Sequence, residues 1–131
     1  MKAIMSSGKR KSAIARATIN KGTGLVKINN LNLNVFTPEI ARLKLQEPLI
    51  IAGKVAQKYD ISLNISGGGV MSQTIAARLA IARGLVEAEP KLKEEFLNYD
   101  RLLLVADIRR KESSKPNSHG KARAKRQKSY R

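Results

Sequence analysis

The sequence predicts a mixed α/β body with basic extensions, and three observations predict it. In two segments, Ser12 to Asn20 and Asp60 to Ser66, side chains of contrasting character alternate, which is the period of a half-buried strand. From Ser72 to Ala88 the apolar spacing becomes that of a helix. From Arg109 onward both periods vanish, and ten bases stand against one acid.

The first strand puts Ile14, Arg16 and Thr18 on one face and Ala13, Ala15, Ala17 and Ile19 on the other. Lys21-Gly22-Thr23-Gly24 is turn chemistry, because glycine reaches positive φ freely. Leu25 to Ile28 is then expected to return as a second strand, making a hairpin with the first. After Asn29-Asn30, the alternation of Leu31, Leu33 and Val35 with Asn32 and Asn34 gives a third strand candidate. Thr37-Pro38-Glu39 has the composition of a helix start, with Thr37 as N-cap and Pro38 at the first helical position. Pro48 is expected to end that short helix and to begin another running to about Lys58. In the strand Asp60 to Ser66, Ile61, Leu63 and Ile65 face one way, and Ser62, Asn64 and Ser66 the other. Gly67-Gly68-Gly69 breaks it. In the long helix that follows, Ile75, Leu79, Ala82 and Val86 form an apolar stripe, beside a small-residue side of Ala76, Ala77, Ala80 and Gly84. Pro90 ends that helix, Lys91 to Asn98 is a candidate short one, and Leu102 to Val105 is a buried segment of either type. The body is thus residues 1–108, a globular domain with a basic N-terminal strand region, and residues 109–131 are an extended basic tail. The tail's clearly apolar residues are Ala122, Ala124 and Tyr130, too few to offset its ordering entropy, so alone it is expected to be disordered.

Charge narrows the function. The chain carries 26 Lys and Arg against 10 Asp and Glu, a net charge of +16. Residues 1–20 hold five bases and no acid, residues 21–100 ten bases and eight acids, and residues 101–131 eleven bases and two acids. A nearly neutral body therefore carries two cationic arms. Such self-repulsion is relieved by a polyanion, most commonly nucleic-acid phosphate. An anionic membrane is a poorer fit, because no Lys-rich helix has a large apolar face and no apolar run is long enough to span. The arms, Lys9-Arg10-Lys11, Arg109-Arg110-Lys111 and Lys121 to Lys128, are interspersed with Ser, Gly and Ala. That keeps them thin enough to thread between RNA helices.

Enzyme chemistry finds little support. Cysteine is absent, so disulfides and thiolate sites are excluded. The single histidine, His119, lies in a polar stretch. Glu94 and Glu95 are adjacent and diverge on a helix. No metal-ligand cluster or cofactor motif is present. The triple glycine between a strand and a helix could gather backbone N–H groups around phosphate, or could be a structural turn; it lacks the ending of a P-loop and does not fit the dinucleotide fingerprint. Arg78 and Arg83 fall in or beside the apolar arc of their helix. Their stems could pack with heads in solvent, or the heads could meet phosphate. The small-residue side of that helix admits close approach by another backbone or by RNA.

Three blocks, in this order and spacing, resemble the family of the ninth protein of the small ribosomal subunit. The first is Gly8-Lys9-Arg10-Lys11-Ser12-Ala13-Ile14-Ala15-Arg16 followed by Gly22-Thr23-Gly24. The second runs from Glu47-Pro48-Leu49 through Tyr59-Asp60 to Gly67-Gly68-Gly69, then Gln73 and Ala80-Ile81-Ala82-Arg83. The third is Gln127-Lys128-Ser129-Tyr130-Arg131. The resemblance covers nearly the whole chain; the ending Lys128-Ser129-Tyr130-Arg131 is similar to the archaeal and eukaryotic branch, and the compact length to the archaeal one. Ser72 departs from it, since the family usually has Gly before the glutamine.

The resemblance implies a two-layer α/β sandwich of the ribosomal protein S-five domain-two-like kind, in the cytoplasm as part of the ribosome. It implies binding to ribosomal RNA in the head of the small subunit, beside neighbouring ribosomal proteins. The candidate ribosomal RNA contacts are Lys9, Arg10, Lys11, Arg16, Gly67, Gly68, Gly69, Arg78, Arg83, Arg109, Arg110, Lys111, Lys121, Arg123, Lys125 and Arg126. It also implies that the tail reaches peptidyl-site tRNA through Lys128, Ser129, Tyr130 and Arg131. The alternative is a free RNA-binding module, such as a ribonuclease P protein subunit or an RNA chaperone. A small-molecule kinase of related fold is the enzyme rival.

Overall fold

Five strands gather into one sheet, and three helices cover one of its faces. The computed structural model describes residues 2–123. In chain order the elements are β1 (Ile4–Arg10), β2 (Ala13–Lys21), β3 (Val26–Ile28), β4 (Leu31–Asn32), α1 (Glu39–Ala52), β5 (Tyr59–Ser66), α2 (Val70–Ala88) and α3 (Leu92–Tyr99). Short 3-10 turns occupy Leu33–Val35, Gly53–Lys58 and Arg101–Leu103. The sheet order is β1-β2-β5-β3-β4. β3 and β5 are parallel, and the other neighbours are antiparallel. A parallel pair needs a crossover connection, and α1 supplies it.

Strand alternation is as the sequence predicts. Ala13, Ala15, Ala17 and Ile19 of β2 are buried beside Ile61 and Leu63 of β5, while Arg16, Ser62 and Asn64 are exposed. The pairing differs. β2 and β3 do not form a hairpin, because β5 lies between them. β5 matches β2 over eight registered pairs, from Ile14↔Ser66 to Lys21↔Tyr59, whereas β3 is only three residues long. The intervening turn is drawn onto β5 instead. The Asp60 carboxylate accepts the backbone N–H groups of Thr23, Gly24 and Leu25 at 2.8, 3.0 and 2.9 Å. The third strand candidate shrinks to Leu31–Asn32. It joins β3 through Asn29-Asn30, both at positive φ (46° and 70°), which suits a tight hairpin.

The N-terminal basic segment is not a loose arm. Ile4–Arg10 is the edge strand of the sheet, in register with β2 from Ile4↔Ile19 to Arg10↔Ala13. Ser6, Ser7 and Gly8 are weak strand formers, so propensity hides it. Packing requires them. A Cβ on Gly8 would run into the Ala76 carbonyl of α2, and the Ser6 hydroxyl donates to the Ala80 carbonyl at 2.7 Å. The small-residue side of α2 thus receives another backbone, the β1–β2 layer.

The helices also depart from expectation. α1 runs unbroken through Pro48. Ala41, Leu45, Pro48 and Ala52 are all buried, a helical stripe whose burial outweighs the roughly 3 kcal/mol cost of an interior proline. Pro38 is its N-cap and Glu39 its first residue, so Thr37 stays outside. α2 begins at Val70 with Gly69 as N-cap, two residues before Ser72. Its expected stripe is only half-buried at Ile75 and Val86, whereas Ala76, Ala77, Ala80, Ile81 and Leu85 are fully buried. The reason is that α2 is central, packed against the sheet and against both α1 and α3. Leu102 to Val105 begins as a 3-10 turn that buries Leu103. Beyond it, Ala106 to Arg123 contains neither helix nor strand.

Candidate nucleic-acid interface

β1 and β2 meet in a two-residue connection, Lys11-Ser12, at one end of the sheet. Lys11 takes a φ of 52°, a region in which a side-chain-bearing residue is uncommon. The chain leaving the helix layer passes this tip, and Arg109, Arg110 and Lys111 come alongside Lys9, Arg10, Lys11 and Ser12. These seven residues line an open cleft of about 920 Å³. Two segments that the sequence separates by about a hundred residues form one surface.

The junction is built on Asp107. Its carboxylate lies 3.4 Å from Arg10, whose side chain is 11% exposed, and 2.7 Å from Arg109. Arg109 engages both of its oxygens and also donates its backbone N–H to Asp107 at 3.0 Å. The Arg109 contacts first, then the charge of Arg10, hold the Asp107 carboxyl well below the usual carboxylate range. The same bonds raise the pKa of Arg109. Arg10 reaches on to the Arg109 carbonyl at 3.2 Å, and Arg110 donates to the Lys11 carbonyl at 3.0 Å. Tip and tail base are therefore tied in both directions. Six bases and Asp107 leave a net +5 at the cleft, and Lys9, Lys11, Arg110 and Lys111 are exposed.

The other predicted contacts divide. Gly67 and Gly68 pack against the tip, with φ of 76° and 65°. A Cβ on Gly67 would stand 2.5 Å from the Ser12 carbonyl oxygen, and one on Gly68 would stand 3.0 Å from the Ala13 Cβ. That geometry supports the structural-turn alternative for these two. Gly69 is exposed, with open space around it. Arg78 bridges Glu47 of α1 and Asp100 after α3, the latter at 3.2 Å, and its side chain is 13% exposed. Arg83 donates to the Leu104 carbonyl at 3.2 Å and the Ser7 carbonyl at 3.1 Å, bracing β1. For both, the geometry favours a role inside the body over phosphate contact. Arg16 is exposed on the uncovered face of the sheet. Lys121 and Arg123 are exposed in the tail, where Arg123 pairs with Glu112 at 3.0 Å. Lys125, Arg126, Lys128, Ser129, Tyr130 and Arg131 lie outside the described residues. Sequence reasoning missed Asp107, because an acid in a basic run looks like a solvated charge. His119 is exposed. Among the described residues, no cluster of His, Cys, Asp or Glu could hold a metal, and no helix is long and apolar enough to cross a membrane.

A sequence model of the family described as "Ribosomal protein S9/S16" matches residues 8–131. The chain belongs to this family. It is 49% identical over its whole length, and over the whole of the relative, to the "Small ribosomal subunit protein uS9" of Methanothrix thermoacetophila. It is 47% identical, again over the whole of both chains, to the protein of the same name from Methanococcus maripaludis strain C7. These relatives are archaeal, in keeping with the archaeal-type resemblance of the sequence. Family membership makes the chain a ribosomal structural protein and not an enzyme, and it removes the kinase alternative.

Proposed function

We propose that the chain is a structural constituent of the small ribosomal subunit, in the cytoplasm, holding ribosomal RNA of the subunit head through the cleft between the β1–β2 tip and residues 109–111. The observation that carries this is the convergence of six bases into one surface of net +5. Phosphates entering there release counterions and relieve the self-repulsion of the arms. The fold is read as the ribosomal protein S-five domain-two-like sandwich. Its sheet supports the tip.

The tail serves a second partner. From Arg109 to Arg131 there are 23 residues, which fully extended reach roughly 75 Å, a reach that requires the Glu112–Arg123 pair to open. That length lets Lys128, Ser129, Tyr130 and Arg131 touch peptidyl-site tRNA while the body stays on ribosomal RNA. Arginine's planar fork suits a backbone phosphate. The test is twofold. The full chain should cosediment with small subunits at moderate salt; a pool that floats apart sinks the first part. Deleting Lys128 to Arg131 should leave assembly intact and weaken retention of peptidyl-site tRNA. Unchanged tRNA affinity in the truncated subunits refutes the second part.

A further inference from the structure

We propose that the uncovered face of the sheet holds a nucleobase site, in which an unstacked base lies over Ile14 with its edge against Arg16 and Asn64. It rests on the reading of the cleft as an RNA backbone site and adds a base contact beside it.

The helices cover one face of the sheet only. On the other, Ile14, Arg16, Asn29, Asn64, Ile65 and Ser66 line a depression of about 90 Å³. Arg16 and Asn64 are directly opposed across β2 and β5, and Ile14 is opposed to Ser66. Ile14 is a half-buried apolar platform on this face, and the exposed Met5 of β1 lies farther along it. Asn29 forms a fixed wall: its amide accepts the Ile65 N–H at 2.9 Å and donates to the Ile65 carbonyl at 3.2 Å. Among the described residues, the side chains of Arg16 and Asn64 have no hydrogen-bonding or ionic partner. Arg10, Arg78 and Arg83, by contrast, are all engaged.

The chemistry separates a base from a phosphate. A phosphate only accepts hydrogen bonds, so an amide oxygen and an aliphatic floor add nothing to its binding. A base edge offers donors and acceptors together, which an asparagine amide matches and a guanidinium alone does not. The Ile14 side chain supplies an apolar floor under the base, and the Arg16 guanidinium donates to its edge beside the Asn64 amide. The depression is small and open to solvent, about 90 Å³, so it suits a single base and not a stack. Position links it to the cleft. Lys9 pairs with Ile14, so it stands one strand spacing away, about 4.8 Å, on the same face. A nucleotide whose phosphate meets Lys9 can therefore lay its base on Ile14. The acid on this face, Asp60, lies toward the opposite end and is turned onto the 23–25 backbone.

The experiment uses the full chain and two RNA hairpins that differ only at one bulged position, a uridine or an abasic residue with the same phosphates. Tighter binding of the uridine bulge by about tenfold is expected, the scale of one stacked base. Asn64→Leu and the charge-conserving Arg16→Lys should each erase most of that preference while leaving abasic-hairpin affinity within about twofold. Both residues are exposed, so folding, checked by urea denaturation, should be retained. Equal affinity of the native chain for the two hairpins overturns the base site and leaves the cleft standing, as does a preference that survives both substitutions. Retention of neither hairpin at low salt overturns the cleft reading and the base site with it.

Discussion

Replacing Lys11 and Lys111 together by glutamine tests the cleft most directly. Both side chains are exposed, one on the β1–β2 tip and one on the tail base. Glutamine keeps the Cβ, so the cost of the Lys11 φ of 52° is unchanged and folding stability should hold. The substitutions lower the net charge of the cleft from +5 to +3. With the value of about 0.9 per phosphate contact that holds for a DNA duplex, the slope of log affinity against log salt should become shallower by about 1.8. Over a fourfold rise in salt, from about 50 to 200 mM, that difference amounts to about twelvefold in affinity. The variant's binding deficit should thus shrink about tenfold across that range. The assay is filter binding to protein-free small-subunit ribosomal RNA over a salt series. The control is Lys54→Gln with Lys58→Gln, the same charge change at the other end of β5, roughly 23 Å away along the strand. Equal slope changes in the two double variants would show that charge acts without regard to place, and the cleft would lose its standing.

Gly67→Ala should destabilise the fold by about 2–4 kcal/mol, from a left-handed backbone and a Cβ against the Ser12 carbonyl, whereas Gly69→Ala should cost under about 1 kcal/mol. Urea denaturation reads both. Arg78→Ala should cost about 1–3 kcal/mol by stranding Glu47 and Asp100, which are each about a third exposed, and leave RNA affinity of the folded chain unchanged. The backbone N–H groups of Leu25, Thr23 and Gly24 hold the Asp60 carboxyl below its ordinary value. A lowered folded pKa gives stability that is complete above the unfolded value, about 4, and lost as pH falls through the folded one. The urea midpoint of the native chain should therefore drop more between about pH 6 and pH 3 than that of Asp60→Ala; parallel curves would show that Asp60 does not contribute.

Alternation on β2 and β5 was legible because one face of each is buried and the other is not. The cationic ends were legible because charge needs no fold to be counted. What the sequence hid was set by tertiary packing. β1 is disguised by serines and a glycine that only α2 explains, since Gly8 must clear the Ala76 carbonyl. Pro48 reads locally as a break, yet its neighbours three and four residues away are buried with it. The hairpin expectation failed because adjacency in the chain competed with eight registered pairs to a strand forty residues later. Within the site, Lys9 to Lys11 and Arg109 to Lys111 were each recognisable as basic, but their meeting was not, because it depends on where the helix layer releases the chain.

An acid within a cationic surface looks adverse on charge alone, and Asp107 shows why it is not. Six bases converging on one cleft repel one another, and nothing in the segment from Ala106 to Lys111 is helix or strand to hold them there. Asp107 engages Arg10 on the rigid edge strand and Arg109 on the irregular chain at the same time. Two of the six charges are thereby converted into a joint, and Arg110 closes it from the other side through the Lys11 carbonyl. The backbone that carries the remaining exposed bases is placed before any ligand arrives. Fixing one residue's backbone costs about 1–2 kcal/mol, so an already placed segment leaves more of each phosphate contact available as affinity. Loss of one positive charge unit to Asp107 is the smaller effect, because a displaced cation in solvent interacts weakly with phosphate beyond a Debye length of about 8 Å at physiological salt.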